Sequence, residues 1–149
     1  PVPVNFRALG NPRRDMIWVA AAGPATNILM AVAAGLLAHL VVFLPAVAGQ
    51  WSLLNLENAI AINVVLAVFN MIPLPPLDGG RVAVGLLPDA LAAPLARLEP
   101  FGMTILLGLL FILPLVGDQL GTNLDVVGWL LTRPVGVTID FILRMTGNA

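Results

Sequence analysis

The sequence predicts an all-α protein: a bundle of about four membrane-spanning helices. Three observations predict it. Only 10% of the 149 residues are charged and 59% are hydrophobic, where an average soluble domain carries about 25% charged residues. The mean hydropathy is +0.98. The few charges are also bunched, leaving charge-free runs near the roughly 20 residues that a helical span requires. These runs are rich in Ala and Leu and lack period-two alternation, so strands do not fit. No internal repeat is evident, and residues 1–149 read as a single membrane domain.

The same composition excludes several classes. A soluble globular domain and a disordered chain both need more charge. A nucleic-acid binder needs a basic surface, whereas the net charge here is -1. Cys is absent, which removes disulfides and thiolate metal sites. The chain holds a single His.

The elements follow in order. The opening stretch Pro1 to Asp15 is polar and carries Arg7, Arg13 and Arg14, which is not a signal peptide. A start at Pro1 rather than Met reads as a fragment or a processed product. The first span covers residues 17–44, interrupted only by Gly23-Pro24, Thr26, Asn27 and His39. Gly23-Pro24 predicts a break there, with the spanning stretch starting at Pro24. Pro45, Gly49, Gln50, Ser52 and Asn55 predict a loop, with Trp51 as an interfacial anchor. The second span covers residues 58–77 and is broken at Pro73–Gly80. Between Arg81 and Glu99, the residues Pro88, Asp89, Pro94 and Arg97 predict short interfacial helices or loop. The third span, residues 100–117, lacks charge, and Pro114 is expected to end it. The fourth, residues 124–143, carries Asp125, Arg133-Pro134 and Asp140, and suits a kinked span or an interfacial helix.

Basic residues favour the cytoplasmic side. Four alternating spans place Arg7, Arg13, Arg14, Arg81, Arg97 and Arg144 on one side and leave Arg133 within the fourth span. The Pro1 end and Asp78 are therefore expected to face the cytoplasm, in a multi-pass protein of the lipid bilayer. The short loops suggest a prokaryotic plasma membrane.

The residues that are expensive in a membrane carry the function. Asn70-Met-Ile-Pro-Leu-Pro-Pro-Leu-Asp-Gly-Gly-Arg81 contains three prolines, which remove backbone donors and push Ile72, Leu74 and Pro75 towards extended geometry. Unwound backbone at membrane depth needs protein or a water-filled cavity around it. Asp78 follows directly. Taken by itself it suits either a functional carboxylate or a plain interfacial turn. Asn27 and Asn70 fall at the same expected depth, near Asp78. Asn63 lies one heptad before Asn70, and interhelical hydrogen bonding is its simpler role. Gly23, Asn27, Ala31 and Gly35 form a stripe of mostly small residues suited to close helix packing. His39 lies 12 residues beyond Asn27, about 18 Å along a helix, so it is out of reach of Asp78 and reads as a packed or loop-facing neutral side chain.

The stretch from Asn70 to Arg81 resembles the second signature of the site-2 protease family of intramembrane zinc metalloproteases. Asn11-Pro12-Arg13-Arg14-Asp15, followed by Ala22-Gly23-Pro24-Ala25-Thr26-Asn27, is similar to the span that precedes that signature, and Asn63 fits the same pattern. The resemblance covers about residues 1 to 90, whereas the last two spans match only as generic trailing spans. It implies hydrolysis of a peptide bond in or near a transmembrane segment of a membrane-protein substrate, as in regulated intramembrane proteolysis. It implies zinc as cofactor, held by two His of a His-Glu-x-x-His helix and by the Asp matching Asp78. It implies that Asn70 acts on the substrate carbonyl, and that Asn27, Pro73, Pro75 and Pro76 line the substrate cleft. This agrees with the chemistry, since zinc polarises a carbonyl and lowers the pKa of bound water, an amide can donate to a developing oxyanion, and an extended edge can hold an unwound substrate.

One departure limits the resemblance. His-Glu-x-x-His needs two His, and the chain has one; its only Glu residues are Glu57 and Glu99. A catalytic zinc takes three protein ligands. The 149 residues are therefore expected to be the C-terminal part of such a protease, inactive alone, with a partner segment bearing His-Glu-x-x-His preceding Pro1. Two other readings compete: a non-catalytic membrane subunit or regulator of the same architecture, and a channel or transporter fragment. A transporter should show a second broken helix in a matching repeat, and none relates Gly23-Pro24 to the Pro73 region.

Overall fold

The computed structural model describes residues 12–149, so Arg7, Asn11 and the rest of the opening stretch lie outside the described residues. The elements of the described residues are all helices, joined by turns. Helix α1 runs Pro12–Ala38, tightens into a 3-10 turn at His39–Phe43, and reverses at Pro45 into α2, Ala46–Asn70. Two short helices follow, α3 at Asp78–Leu86 and α4 at Asp89–Ala96. Helix α5, Glu99–Leu107, passes through a π turn at Gly108–Ile112 into α6, Leu113–Leu120, and α7 is Val126–Met145. Four stretches are long and apolar enough to cross a membrane: Arg13–Phe43, Ala46–Asn70, Glu99–Leu120 and Val126–Met145.

Three expected breaks are not breaks. Pro24 lies inside α1, which continues through it. One missing amide bond costs less in an apolar phase than freeing a whole turn of backbone groups. The expected loop at Pro45 to Asn55 is helical from Ala46 onward. Pro45 serves as the N-cap, Gly49 packs against Val41, and Asn55 Nδ2 donates back to Trp51 O at 2.7 Å. The polar residues of that stretch are thus accommodated one by one along a helix rather than gathered in a loop. Pro114 does not end the third long helix either. The π turn just before it widens the backbone where the proline has no N–H to offer, and α6 runs on to Leu120.

The core is built by α1, α2 and α7. Ala31 and Ala34 of α1, Ile60 and Val64 of α2, and Ile142 of α7 form one buried cluster. Small residues on α1 allow the close approach. Added bulk at Gly35 would meet Thr146 Oγ1 at 2.8 Å, and Asn148 Nδ2 donates to Gly35 O at 2.8 Å. The expected small-residue stripe is therefore a packing face. Large apolar side chains such as Trp18, Leu29, Phe43, Phe111 and Trp129 are exposed around it, the pattern of a protein whose solvent is lipid.

Helix α7 corrects the expected arrangement of arginines. Ile142 joins the cluster at Ala31 and Ala34, and just past the helix Thr146 meets Gly35 and accepts from His39 while Asn148 donates to Gly35 O, so the C-terminal end of α7 lies at the His39 end of α1. Four spans laid side by side in alternation would run α7 the opposite way. Arg144 consequently stands towards the His39 end, away from Arg13 and Arg81. Packing of Ile142 and Thr146 onto Ala31 and Gly35 sets this direction.

Candidate functional site

Helix α2 ends at Asn70 because Pro73, Pro75 and Pro76 together withhold three amide donors from any continuation of it. The chain then folds back in a run of turns over residues 71–77, held by Ile72 N–H to Phe69 O at 3.1 Å, Leu74 N–H to Ile72 O at 2.7 Å and Leu77 N–H to Leu74 O at 2.9 Å. The Pro75-Pro76 bond is cis. The segment is thus compact rather than extended. Its donors at Ile72, Leu74 and Leu77 are used inside the turn, which leaves little of the expected edge for pairing with an unwound peptide.

Two glycines make this folding-back possible. A Cβ at Gly79 would collide with the backbone of Met71 and Ile72, and one at Gly80 with the backbone of Leu74 and Pro75. The turn therefore lies directly on the first residues of α3. Gly102 of α5 presses on the Pro75 carbonyl in the same way. Pro75 is buried beneath it, Pro76 is half-buried and Pro73 is exposed.

Asp78 opens α3, where a carboxylate is favoured by the positive end of the helix. It is half-buried and rests on α1 at Gly23, whose absent Cβ would stand 3.0 Å from Asp78 Oδ2. Asn27 is one turn further along α1, about 6 Å away along the axis, and Asn70 closes α2 eight residues before Asp78 in the chain. Both asparagines are half-buried. Among the described residues, no hydrogen bond or ion pair engages the side chains of Asn27, Asn70 or Asp78. Asn63 differs: its Nδ2 donates to Ala59 O at 2.8 Å, within its own helix, rather than across to a neighbour.

A carboxylate that is half-buried and uncommitted suits one metal ligand. The rest of a ligand set is not at hand. Among the described residues no three His, Cys, Asp or Glu side chains lie close enough to hold a metal. His39 belongs to the other end of the bundle, where its Nε2 donates to Thr146 O at 2.6 Å. The residues present therefore fit one ligand of a three-ligand zinc site and do not fit a complete one.

Sequence reasoning missed the parts that seat Asp78. Gly23 was legible as a packing residue but not as the seat of a carboxylate. Arg13, which ties α1 to the far end of α3, carries no local signal of that role.

Comparison with known proteins bears on this same stretch. Residues 45–113 match Peptidase family M50, a match that contains Asn70, the turn and Asp78. The chain is 32% identical over 123 residues to a Bacillus subtilis (strain 168) protein named "Putative zinc metalloprotease YwhC". That similarity takes in 77% of this chain and 54% of the other, so the chain spans about half the length of the relative it matches. No solved structure matches.

Proposed function

This chain belongs to peptidase family M50, the site-2 protease family of zinc metalloproteases, and from that premise we propose that it forms the C-terminal part of an intramembrane protease. The substrate is a membrane protein, cut in or near a transmembrane segment. Asp78 supplies one zinc ligand, and the others come from a His-Glu-x-x-His segment outside these 149 residues. Asn70 donates an amide N–H to the carbonyl oxygen of the scissile peptide. Asn27 and Pro73 face the substrate, while Pro75 and Pro76 support the turn beneath it.

The observation that carries the reading is Asp78 itself. It is a half-buried carboxylate with no hydrogen-bond or ion-pair partner among the described residues, seated on a membrane-length helix by a glycine, within the stretch that matches the family. A carboxylate left this way is a liability in an apolar protein unless it has a ligand. Arg13, Arg14, Arg81 and Arg97 lie on the segments around it, which favours a cytoplasmic position for this end in a prokaryotic plasma membrane.

The test is reconstitution of the complete protein in lipid with a membrane-protein substrate. Cleavage should stop on treatment with a zinc chelator and return on adding zinc. Cleavage that ignores the chelator, or its absence from zinc-loaded protein, would count against the protease reading and favour a non-catalytic subunit.

A further inference from the structure

Helix α3 lies along α1 and touches it at two levels. At one end Asp78 rests on Gly23; at the other, Gly85 rests on Ile17, whose Cγ1 a Cβ at Gly85 would strike. The two seats agree in spacing. Seven residues from Asp78 to Gly85 rise about 10.5 Å, and six from Ile17 to Gly23 rise about 9 Å. The glycines set how closely the helices approach, but glycine contacts alone do not fix how far one helix slides along the other.

Arg13 supplies that fix. Its Nε donates to Gly85 O at 2.9 Å, one terminal nitrogen donates to Leu87 O, and the other reaches Asp89 Oδ1 at 2.8 Å. Gly85 O and Leu87 O belong to the C-terminal end of α3, where carbonyls lack helical partners and carry partial negative charge. A planar guanidinium can meet two carbonyls and a carboxylate at once, whereas an ammonium cannot reproduce the fork. The Asp89 side chain is 92% exposed, so that ion pair by itself contributes little. The carbonyl bonds are the part that holds α3.

We propose that Arg13 is a positioning residue: by holding the C-terminal end of α3 against the start of α1, it sets the level at which Asp78 sits over Gly23. The proposal rests on the reading of Asp78 as the site's carboxylate. Arg13 itself bonds Gly85, Leu87 and Asp89 and not Asp78.

The experiment uses the complete protein in lipid nanodiscs with Arg13→Gln, Arg13→Lys and Asp89→Asn. Hydrogen exchange is followed on peptides covering α3 and on peptides covering α1, α2 and α7, alongside cleavage kinetics. Arg13→Gln and Arg13→Lys should speed exchange in α3 about tenfold or more, leave the α2 and α7 peptides unchanged, and lower kcat with KM unchanged. Asp89→Asn should behave as wild type in both measurements. Unchanged exchange in α3 after Arg13→Gln overturns the proposal, and so does full rescue by lysine, which would make Arg13 a point charge. Faster exchange in α3 with unchanged kcat also overturns the positioning role, whereas cleavage retained in Asp78→Ala would overturn the site reading on which it rests, so the two failures are told apart.

Discussion

Replacing Gly23 with Ala probes the seat of Asp78 with a single methyl group. Its Cβ would stand 3.0 Å from Asp78 Oδ2 and 3.9 Å from Cγ. Comfortable contact between such atoms is about 3.5 Å, so the carboxylate oxygen must retreat by about half an ångström. The helix itself gains, because alanine is favoured over glycine in a helix interior by about 1 kcal/mol. That gain offsets the crowding, and the unfolding midpoint of Gly23→Ala should stay close to wild type. Activity should not. A displacement of about 1 Å at a reacting site can cost about a hundredfold, and half of that predicts a fall of about tenfold in turnover. The assay is cleavage of a membrane-protein substrate by the complete protein, run beside thermal unfolding of the same preparation. Wild-type turnover in Gly23→Ala would refute the argument, because Asp78 would then not need its place on α1. A matching loss of folding would refute it too, because the effect would be general.

Two further substitutions test separate parts of the account. Gly102→Ala should destabilise the packing of α5 on the proline turn by about 1–3 kcal/mol, since the new methyl group meets backbone that cannot turn aside; limited proteolysis between α4 and α6 should accelerate, and an unchanged digestion pattern would contradict the contact. Asn70→Ala should lower turnover while zinc content is retained, as expected of a side chain that meets substrate; unchanged cleavage would make Asn70 a packing residue.

The helical class was legible because charge-free runs of spanning length leave few other folds available. The end of α2 was legible as well, since Pro73, Pro75 and Pro76 cannot be accommodated in a helix together. Proline misled elsewhere. Pro24 and Pro114 stand alone, and an isolated proline in an apolar helix is absorbed by a local adjustment, a π turn in the second case. Pro45 with the scattered polar residues after it suggested a loop, yet each side chain is accommodated within α2. The direction of α7 was not legible, because it depends on how Ile142 and Thr146 meet Ala31 and Gly35, which is a property of matching surfaces. For the site, Asp78 and Asn70 stand out by cost alone. Gly23, Gly79 and Gly80 acquire their meaning only once the turn is folded back over α3.

The central claim is that Asp78 is a zinc ligand, and the direct measurement is the zinc content of the complete protein, wild type against Asp78→Ala, purified in parallel and matched for helical content. The account predicts stoichiometric zinc in the wild type and its loss in Asp78→Ala, with the helical bundle intact. Equal zinc in the two proteins would contradict it.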